Sequence, residues 1–369
     1  MRRRTWDYPL LLTTLALAAF GLVMVYSASY VTAHEVKGSD SSFFVKKQAL
    51  WACIGVVAMF VAAAVPMRAV RRIAPYLFAV SVLALVATLF VGVERNGARR
   101  WIEVMGLSVQ PSEIAKLGLI VFLAWLYADR GFALTRFRAL IPGLAAIGLS
   151  AGLVLLGRDL GTALVLVAVG WLLLHLAGAR MRHLLAVAAG FVTAAALFIW
   201  HEPYRLQRIT AWLDPWADAG DTGYQLVHSL IALGSGGPFG LGLGQSRQKF
   251  FYLPMPMTDS IFAVLGEELG LIGTLLVLVA FVFLLWRGIN VARAATDSFS
   301  ALLAGGITLM LAVQAVVHIG VATSILPTTG LPLPFISYGG TALVAAMTGV
   351  GLLLNVARQG RSALAAAYA

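Results

Sequence analysis

The stretch from Phe250 to Gly270, FFYLPMPMTDSIFAVLGEELG, places charged side chains at the start of a long apolar run. Asp259 stands just before that run, where a polar loop meets the first turn of a predicted membrane helix. An aspartate here suits an N-cap, because its carboxylate accepts hydrogen bonds from the first helical N–H groups. The alternative is a chemical role at the boundary between water and membrane. The sequence predicts that function is concentrated in this stretch and leaves both roles of Asp259 open.

Two further charged pairs stand at predicted helix starts. Glu113 and Lys116 follow Pro111 and are three residues apart, so they share one helix face. Such a pair is costly against lipid and is expected to point into the bundle or a wet cavity. There Lys116 would meet an anionic ligand, or the pair would form a structural salt bridge. Arg158 and Asp159 form the second pair, for which a turn with an N-cap at Asp159 is the structural alternative.

Glu267 and Glu268 lie two turns into the apolar run that follows Asp259. In a continuous α-helix, Glu267 would be about 80° around the axis from Asp259 and about 12 Å further along it, whereas Glu268 would be nearly opposite. Glu267 is therefore predicted to line the same cavity as Asp259. A second irregular stretch, LPTTGLPLPFISYGG at residues 326–340, must be buried in protein or border water if it lies at membrane depth.

The composition predicts an all-α polytopic membrane protein. Apolar residues make up 60% of the 369 residues and charged residues 12%, whereas soluble domains carry about 25% charged residues. Ten apolar stretches are long enough to span about 30 Å of hydrocarbon, and residues 1–369 are predicted to form one membrane domain. The stretches are residues 8–30, 46–65, 73–93, 111–128, 139–156, 160–177, 183–200, 260–286, 299–323 and 338–356.

Arginine predicts the orientation of these helices. With the N-terminus inside, the inner loops and tails contain 15 arginines and only 3 acidic residues. Positive charge favours the cytoplasmic side, so both termini are predicted to be cytoplasmic. The net charge of +11 then reflects topology and gives no reason to invoke nucleic acid.

The long segment between the seventh and eighth apolar stretches, residues 201–258, is predicted to be extracytoplasmic. A loop of this length is usually functional or disordered, and its aromatic content argues against disorder. Leu226 to Leu233 suits a short surface helix. The glycine-rich residues 234–244 would allow a close backbone approach to a ligand, or would serve only as flexible packing.

Several motifs, in order along nearly the whole chain, resemble the SEDS family of shape, elongation, division and sporulation proteins. They are NGARRWI, QPSEIAKL, RDLGTA, LDPW with GYQLVHSLIALGSGG, GLGQS with QKFFYLP, TDSIFAVLGEELG and LPTTGLPLPFISYGG. The pieces PYRLQRITAWLDPW and GLGQSRQKFFYLP are more similar to the division, FtsW-like branch than to the rod-elongation, RodA-like branch. Ser260 stands where the family usually has Phe, and His318 where Asn is common, which puts details of the cavity in doubt.

The resemblance implies a peptidoglycan glycosyltransferase that polymerises lipid II at the outer face of the bacterial cytoplasmic membrane. With an α-linked donor and a β-linked product, the reaction is a single inverting displacement. Asp259 is then predicted to be the general base for the attacking 4-hydroxyl. Lys116, with Arg158 or an outer-loop arginine such as Arg205, would compensate the charge of the departing pyrophosphate, and Glu113 would orient Lys116. A divalent cation, Mg²⁺ or Mn²⁺, is a further candidate for that charge compensation, with Asp259 as its candidate ligand, and the sequence leaves the metal open.

Asp159 and Glu267 complete the candidate substrate-binding residues, and membrane lipids surround the site. The resemblance further implies a class B penicillin-binding transpeptidase as partner, working in septal or rod-elongation synthesis. Two other functions stay open: a lipid II flippase or transporter, and a non-catalytic scaffold of the division machinery. The absence of evident inverted repeats and the concentration of charged motifs on the outer side favour the enzyme over the transporter.

Overall fold

A computed structural model describes residues 6–37, 40–95, 97–104, 106–129, 133–200 and 203–367. Each of the ten predicted apolar stretches coincides with a helix, which confirms an all-α polytopic fold. Within these described ranges, seven helices are long and apolar enough to cross a membrane, and the shorter helices α4, α6 and α7 complete the ten predicted stretches. These ten are α1 (Tyr8–Lys37), α2 (Phe43–Ala64), α3 (Met67–Val91), α4 (Pro111–Tyr127), α5 (Ile141–Leu156), α6 (Leu160–Leu176), α7 (Met181–Trp200), α10 (Ile261–Arg293), α11 (Ser298–Ala322) and α12 (Gly340–Ala367).

The centre of the bundle is formed by α11 and α12, whose apolar windows are 67% and 78% buried, against 22% for α3. Small residues let the helices approach closely, as membrane packing requires. A Cβ atom added at Gly306 of α11 would lie 2.6 Å from side-chain atoms of both Ile120 on α4 and Leu173 on α6. The middle of α11 therefore touches α4 and α6 directly, and substitutions there are expected to separate the helices.

The connection between α3 and α4 folds into a small antiparallel sheet, an addition to the predicted all-α architecture. Its strands are β1 (Val93–Arg95), β2 (Ala98–Val104) and β3 (Leu107–Val109), with β2 in the middle. Gly97 and Gly106 take positive φ angles of 71° and 77° at the two turns, which suits glycine. The Asn96-Gly97 pair in the sequence favours a tight turn, and Asn96 lies outside the described residues. Two 3-10 turns, Ala133–Thr135 and Phe137–Leu140, connect α4 to α5.

The long segment before α10 contains α8 (Pro203–Leu213) and α9 (Tyr224–Gly236). The helix predicted at Leu226 to Leu233 is present as α9, but it does not lie on the surface as predicted. Its side chains Leu226, Val227 and Ala232 are buried. The buried side of α9 packs on α10. An apolar face on a short helix can pack against a membrane surface or against a protein core, and the apolar face of α9 packs against the protein core.

The helix α10 is broken at Gly270, whose φ and ψ of 67° and −164° are not helical. The glycine-rich segment inserts at this break and replaces the lost helical hydrogen bonds. Leu241 and Gly242 donate their N–H groups to the carbonyls of Glu267 and Glu268 at 3.0 and 2.9 Å. Leu271 and Ile272 donate to the carbonyls of Gly237 and Pro238 at 2.9 and 3.1 Å. The close backbone approach predicted for these glycines is therefore made to α10.

Room for this insertion depends on two glycines that face each other. A Cβ atom at Gly270 would lie 2.3 Å from the Gly240 nitrogen, and one at Gly240 would lie 2.2 Å from the Glu268 carbonyl oxygen. Both glycines also have positive φ. At membrane depth, the backbone N–H and C=O groups freed by a helix break must find hydrogen-bond partners within the protein. The inserted segment supplies these partners, so the segment and the break stabilise each other.

The end of the bundle opposite the sheet carries its own ion pairs. Arg287 at the end of α10 lies 2.5 Å from Asp7 before α1, and Arg71 of α3 lies 2.5 Å from Asp129 after α4. Asp297 caps α11 by accepting a hydrogen bond from the Ser300 N–H. The two ends of the bundle thus differ, with the sheet, α8, α9 and the start of α10 at one end and these arginine pairs at the other.

Candidate active site

Asp259 lies outside α10, and the cap prediction is wrong. Ser260 occupies the N-cap position, because its carbonyl accepts the first helical hydrogen bonds, from Ala263 and Val264 at 3.0 and 3.2 Å. The Ser260 hydroxyl donates to the Pro254 carbonyl at 3.3 Å. Asp259 is partly buried, and its carboxylate makes no capping hydrogen bond to the described start of α10. The carboxylate is therefore available for a role other than capping.

The segment between α11 and α12 fixes the backbone immediately before Asp259. The buried Ser337 hydroxyl donates to the Thr258 carbonyl at 2.8 Å and accepts from the Leu333 N–H at 2.8 Å. The Tyr338 N–H donates to the Met257 carbonyl at 2.8 Å. The irregular stretch 326–340 therefore lies against protein, as predicted, and holds the Asp259 turn.

Glycine at position 330 leaves room beside the Asp259 carboxylate. Gly330 has a φ of 70°, and a Cβ atom there would lie 3.5 Å from Asp259 Oδ2. The neighbouring Thr329 has a buried hydroxyl without a hydrogen-bond partner among the described residues. The Asp259 carboxylate thus lies beside Gly330, in contact range of a loop whose Thr329 hydroxyl has no hydrogen-bond partner among the described residues.

Three charged side chains act on Asp259, and sequence analysis selected only one of them, Asp159. Burial raises the pKa of the Asp259 carboxyl above its ordinary value of 3.8, and the negative charge of Asp159 raises it further. The Thr258 side chain and the positive charges of Arg100 and Arg208 partly offset this by lowering the same pKa. A carboxylate with a raised pKa is a better proton acceptor, which suits general-base chemistry.

Asp159 has the capping role that the sequence left open. Its carboxylate starts α6 by accepting from the Thr162 N–H at 3.1 Å and the Thr162 hydroxyl at 2.9 Å. The Gln110 amide donates to its second oxygen at 3.2 Å. The side chain is therefore fixed in one orientation while its charge still reaches Asp259.

The arginines on either side of Asp159 differ in what they contact. Arg100, on β2, donates a hydrogen bond to the Arg158 carbonyl, and its Nη1 lies 4.0 Å from Asp159 Oδ1. Arg158 is exposed, has a positive φ of 60°, and donates through Nη1 to the Gly97 carbonyl at 3.0 Å. The Arg158 guanidinium therefore ties the sheet to the α5–α6 turn, whereas Arg100 is the arginine near Asp259.

Helix α8 contributes Arg208 to the surroundings of Asp259. The residue selected from the sequence, Arg205, lies on the same helix, but its side chain is outside the described part of the chain. Residues three apart share a helix face. Arg208 could therefore have been selected from the sequence together with Arg205, because the two residues share one face of α8.

Glu113 and Lys116 form the salt bridge that was one of two predicted outcomes. Lys116 Nζ lies 2.7 Å from Glu113 Oε1, and both residues are 2% exposed. Their helix α4 packs against α3, α6 and α11, so the pair is inside the bundle. An ion pair at this depth is costly to break, since either partner alone would be left as a buried charge.

Glu267 does not turn toward Asp259, so the predicted shared cavity is wrong. Its carboxylate accepts from the Ser246 hydroxyl at 2.5 Å, the Arg247 N–H at 2.9 Å and the Gln248 N–H at 3.3 Å. The helical spacing predicted its angle but could not foresee the inserted segment that occupies this face. Glu267 holds the loop that leads to Asp259.

Glu268 is paired with a lysine that sequence analysis missed. Lys249 Nζ lies 2.6 Å from Glu268 Oε1, and both side chains are fully buried. The Ser27 hydroxyl of α1 donates to Glu268 at 2.6 Å, and the lysine lies over the Tyr30 ring. This Lys249–Glu268 pair joins α1, the loop and α10, and no helical or strand periodicity marks Lys249 in the sequence.

A metal held by protein groups alone does not fit the described residues. No group of three or more histidine, cysteine, aspartate or glutamate side chains lies close enough there to hold one. The Asp159 oxygens are already engaged by Thr162 and Gln110. Asp259 is the carboxylate that would ligate a cation, and Mg²⁺ is commonly bound by one or two carboxylates together with phosphate oxygens of a substrate.

Comparison with known proteins gives consistent matches over almost the entire chain. The family model described as "cell cycle protein", for FtsW, RodA and SpoVE, matches residues 8–362. Stage V sporulation protein E of Bacillus subtilis (strain 168) is 44% identical over 358 residues, covering 96% of this chain and 98% of that protein. A probable peptidoglycan glycosyltransferase FtsW of Geobacter sp. (strain M18) is 41% identical over 367 residues, covering 98% of this chain and all of that protein.

Two solved structures share the fold. A chain of a peptidoglycan synthase complex, described as coordinating polymerization and crosslinking, superposes with a TM-score of 0.81 at 30% identity, covering 96% of this chain and 98% of that one. The rod shape determining protein RodA of Thermus thermophilus superposes with a TM-score of 0.73 at 30% identity, covering 96% of this chain and 97% of that one.

Proposed function

Because this chain belongs to the cell cycle protein family of FtsW, RodA and SpoVE, we propose that Asp259 is its general base in glycan polymerisation. The protein is a multi-pass membrane protein and a peptidoglycan glycosyltransferase, and lipid II is the proposed substrate. The proposal is supported mainly by the environment of the Asp259 carboxylate. This carboxylate is partly buried, does not cap α10, and is close enough to the charges of Arg100, Arg208 and Asp159 for them to change its pKa.

The proposed reaction is one inverting displacement. The 4-hydroxyl oxygen of the acceptor sugar attacks the anomeric carbon of the donor sugar, and the bond from that carbon to the pyrophosphate oxygen breaks. The hydroxyl proton passes to Asp259, and the pyrophosphate leaves with the bonding electron pair. A second nucleophilic carboxylate is unnecessary for a single displacement. Asp159, whose oxygens are engaged in capping α6, orients the site and tunes Asp259.

Arg100 and Arg208 are the proposed partners of the departing pyrophosphate. Both are close enough to Asp259 to change its pKa, and fixed positive charge stabilises negative charge that develops in a transition state. The Lys116–Glu113 pair supports them indirectly by holding α4, whose first turn follows the sheet. Arg158 is proposed to fix the sheet through Gly97.

We also propose that Asp259 would bind a divalent cation together with substrate phosphate oxygens. When bound, Mg²⁺ or Mn²⁺ would supply positive charge to the phosphate oxygens. Asp159 would not be a ligand of this cation, because its oxygens already accept hydrogen bonds from Thr162. Gly330 has no side chain beside Asp259 that would block a cation.

The proposed orientation places the Asp259 end of the bundle outside the cell and both termini in the cytoplasm. The arginine pairs Arg287–Asp7 and Arg71–Asp129 lie at the opposite end, in agreement with the positive-inside rule. A class B penicillin-binding transpeptidase is the proposed partner, supported by the structural likeness to a synthase complex. The relative named FtsW supports the division-type role that we propose, and the likeness to RodA is the reason to keep rod elongation as the alternative.

The direct test uses purified protein in vesicles with lipid II, Mg²⁺ and its transpeptidase partner. We expect glycan strands of increasing length to form on gels. Translocation of fluorescent lipid II across the vesicle membrane without strand formation would instead support a transporter. Neither activity from a folded, partnered protein would support a scaffold.

The charges around Asp259 give a prediction about pH. Arg100→Gln removes a charge that lowers the Asp259 pKa, so the acid limb of the kcat/KM profile should move to higher pH. The rate at the pH optimum should also fall by about 10²-fold, as for loss of one electrostatic stabiliser. Arg158→Gln is the matched control, since that guanidinium faces Gly97, and it should leave the acid limb in place. An unchanged acid limb for Arg100→Gln would contradict the assignment.

The opposite shift is expected for Asp159→Asn. Removing the negative charge that raises the Asp259 pKa should move the acid limb to lower pH. Asparagine still caps a helix about as well as aspartate, so the melting temperature should change little. Polymerisation rates measured across a pH series would show whether Asp159→Asn and Arg100→Gln move the acid limb in opposite directions.

A further inference from the structure

The loop between α11 and α12 passes directly beside Asp259, and its residues 329–331 make the closest approaches. A Cβ atom added at Gly330 would lie 3.5 Å from Asp259 Oδ2, and Gly330 is exposed. A Cβ atom at Gly161, in the first turn of α6, would lie 2.5 Å from the Thr329 carbonyl oxygen. The loop backbone therefore packs on the start of α6 and borders the Asp259 carboxylate, so the position of the loop decides how much room that carboxylate has on this side.

One side chain, His318 of α11, holds this part of the loop. Its Nδ1 lies 2.7 Å from the Leu331 carbonyl oxygen, and the histidine is 1% exposed. Within the part of the chain that the structure describes, this is the only hydrogen bond made by residues 327–332. Prolines at both ends of this stretch have no N–H to donate, and the buried Thr329 hydroxyl has no partner there either. The hydrogen bond from His318 is therefore what ties the loop to the bundle at this point.

The same contact shows which ring nitrogen of His318 carries a proton. A carbonyl oxygen can only accept a hydrogen bond, so Nδ1 must donate to it. The other nitrogen, Nε2, is buried without a hydrogen-bond partner among the described residues. A charged ring would bury an unpaired N–H together with a positive charge, which is far more costly than burying an unpaired neutral nitrogen. His318 is therefore a neutral donor with its proton on Nδ1.

We propose that His318 is a positioning residue for the reaction of Asp259. Its Nδ1–H holds the Leu331 carbonyl and thereby keeps Gly330, which has no side chain, beside the Asp259 carboxylate. This role rests on the proposed function, because the position of Gly330 matters to the reaction only if Asp259 accepts a proton. The role also explains how histidine replaces the asparagine that is common at this position, since an asparagine amide can donate to the same carbonyl.

Two amide variants separate the Nδ1 contact from a general need for a polar side chain. The amide nitrogen of asparagine is bonded to Cγ, as Nδ1 of histidine is, so His318→Asn keeps a donor that can reach the Leu331 carbonyl. The amide nitrogen of glutamine lies one atom further along the side chain, as Nε2 does, so His318→Gln carries the same group in the wrong place. His318→Leu removes the donor altogether.

The first measurement is steady-state lipid II polymerisation in vesicles with Mg²⁺ and the transpeptidase partner, with kcat expressed per folded protein. We expect His318→Asn to keep most of the wild-type kcat, and His318→Gln and His318→Leu to lower kcat by about 10²-fold, as for a small misplacement of groups in an active site. KM for lipid II should change little, because the base acts in the transition state and not in substrate binding.

His183→Leu is the control for replacing a histidine elsewhere in the bundle. His183 lies near the start of α7, at the end of the bundle opposite the sheet, and is partly buried. Its ring meets the Phe137 ring edge-on at 5.7 Å, and its Nδ1 has no partner among the described residues. Whatever its melting temperature, His183→Leu should keep the wild-type kcat per folded protein.

The second measurement needs no turnover. Solid-state NMR of the full-length protein in lipid, with histidine labelled by a nitrogen isotope, distinguishes protonated from unprotonated ring nitrogens. The signals that disappear in His318→Asn belong to His318. We expect a protonated Nδ1 and an unprotonated Nε2, and a proton on Nε2 instead would overturn the proposed role.

Equal kcat values for His318→Asn and His318→Gln would also overturn the role of His318, whether both variants are active or both are inactive. A fall in KM-dependent binding without a fall in kcat would do the same, because positioning of the base predicts the reverse. These results require an active wild type, so they leave the proposed function standing. A folded, partnered wild type that makes no glycan would instead contradict the proposed function and remove the role of His318 with it.

Discussion

Asp259→Asn is expected to lower glycan polymerisation by about 10²- to 10⁴-fold, the range for loss of a general base. Asparagine is similar in size to aspartate but cannot accept the hydroxyl proton. Since Ser260 and not Asp259 occupies the N-cap position of α10, no cap is lost. Lipid II polymerisation should be compared with that of the wild type at matched protein, partner and Mg²⁺ concentrations. A folded asparagine variant that polymerises at the wild-type rate would remove Asp259 from the mechanism.

The same variant should not be destabilised at neutral pH. Folding raises the pKa of Asp259, so its contribution to the free energy of unfolding is fully present below the unfolded value near 3.8 and is lost as pH rises through the raised folded value. Once the carboxyl is ionised, above its raised folded pKa, it contributes nothing to stability that asparagine would remove. Melting temperatures measured between pH 5 and pH 8 should be equal to or higher than those of the wild type, which separates loss of chemistry from loss of fold.

Lys249→Met is expected to lower the free energy of unfolding by about 3–5 kcal/mol, because it leaves Glu268 as an unpaired buried charge. Both side chains are fully buried, so water cannot replace the lost partner. Adding Glu268→Gln should recover most of this loss, since glutamine carries no charge and its single oxygen, at the Oε1 position, can accept hydrogen bonds from both the Ser27 hydroxyl and the Ser246 N–H. Thermal unfolding followed by the fluorescence of the nine tryptophans would measure all three proteins.

The control for Lys249 is an exposed lysine in a similar ion pair. Lys46 lies 2.9 Å from Asp40, with side chains 67% and 44% exposed. Exposed pairs contribute about 0–1 kcal/mol, so Lys46→Met should change the melting temperature little. Equal losses in Lys46→Met and Lys249→Met, or no recovery in the double variant, would contradict the view that the Lys249–Glu268 pair anchors the loop.

The membrane helices could be predicted because their signal is local. Each needs only a long enough apolar stretch, and even the short separation between α5 and α6 at residues 157–159 was sufficient. The salt bridge of Glu113 with Lys116 and the cap at Asp159 were foreseen as alternatives for the same reason, since their partners lie within three residues. Contacts within one turn of a helix follow from spacing alone.

The rest of the site depends on contacts between distant segments, which spacing does not encode. Glu267 lies in α10 as predicted, but Asp259 lies outside that helix, and residues 246–248 occupy the face to which Glu267 points. Arg100 enters the sequence analysis only as part of the motif NGARRWI, and its position on β2 is what brings its charge to Asp259. No pattern in the sequence around Lys249 indicates burial, and only tertiary structure makes this lysine a buried partner of Glu268.

The break in α10 has a consequence for local unfolding. The amides of Leu241, Gly242, Leu271 and Ile272 are bonded only while the glycine-rich segment remains inserted. One opening event would expose all four to solvent, so they should exchange hydrogen for deuterium at a common rate, as members of a single cooperative unit. That unit includes the short half-helix after Asp259. Detachment of the inserted segment would therefore loosen the turn that carries Asp259, while the longer half of α10 keeps its own protection against exchange.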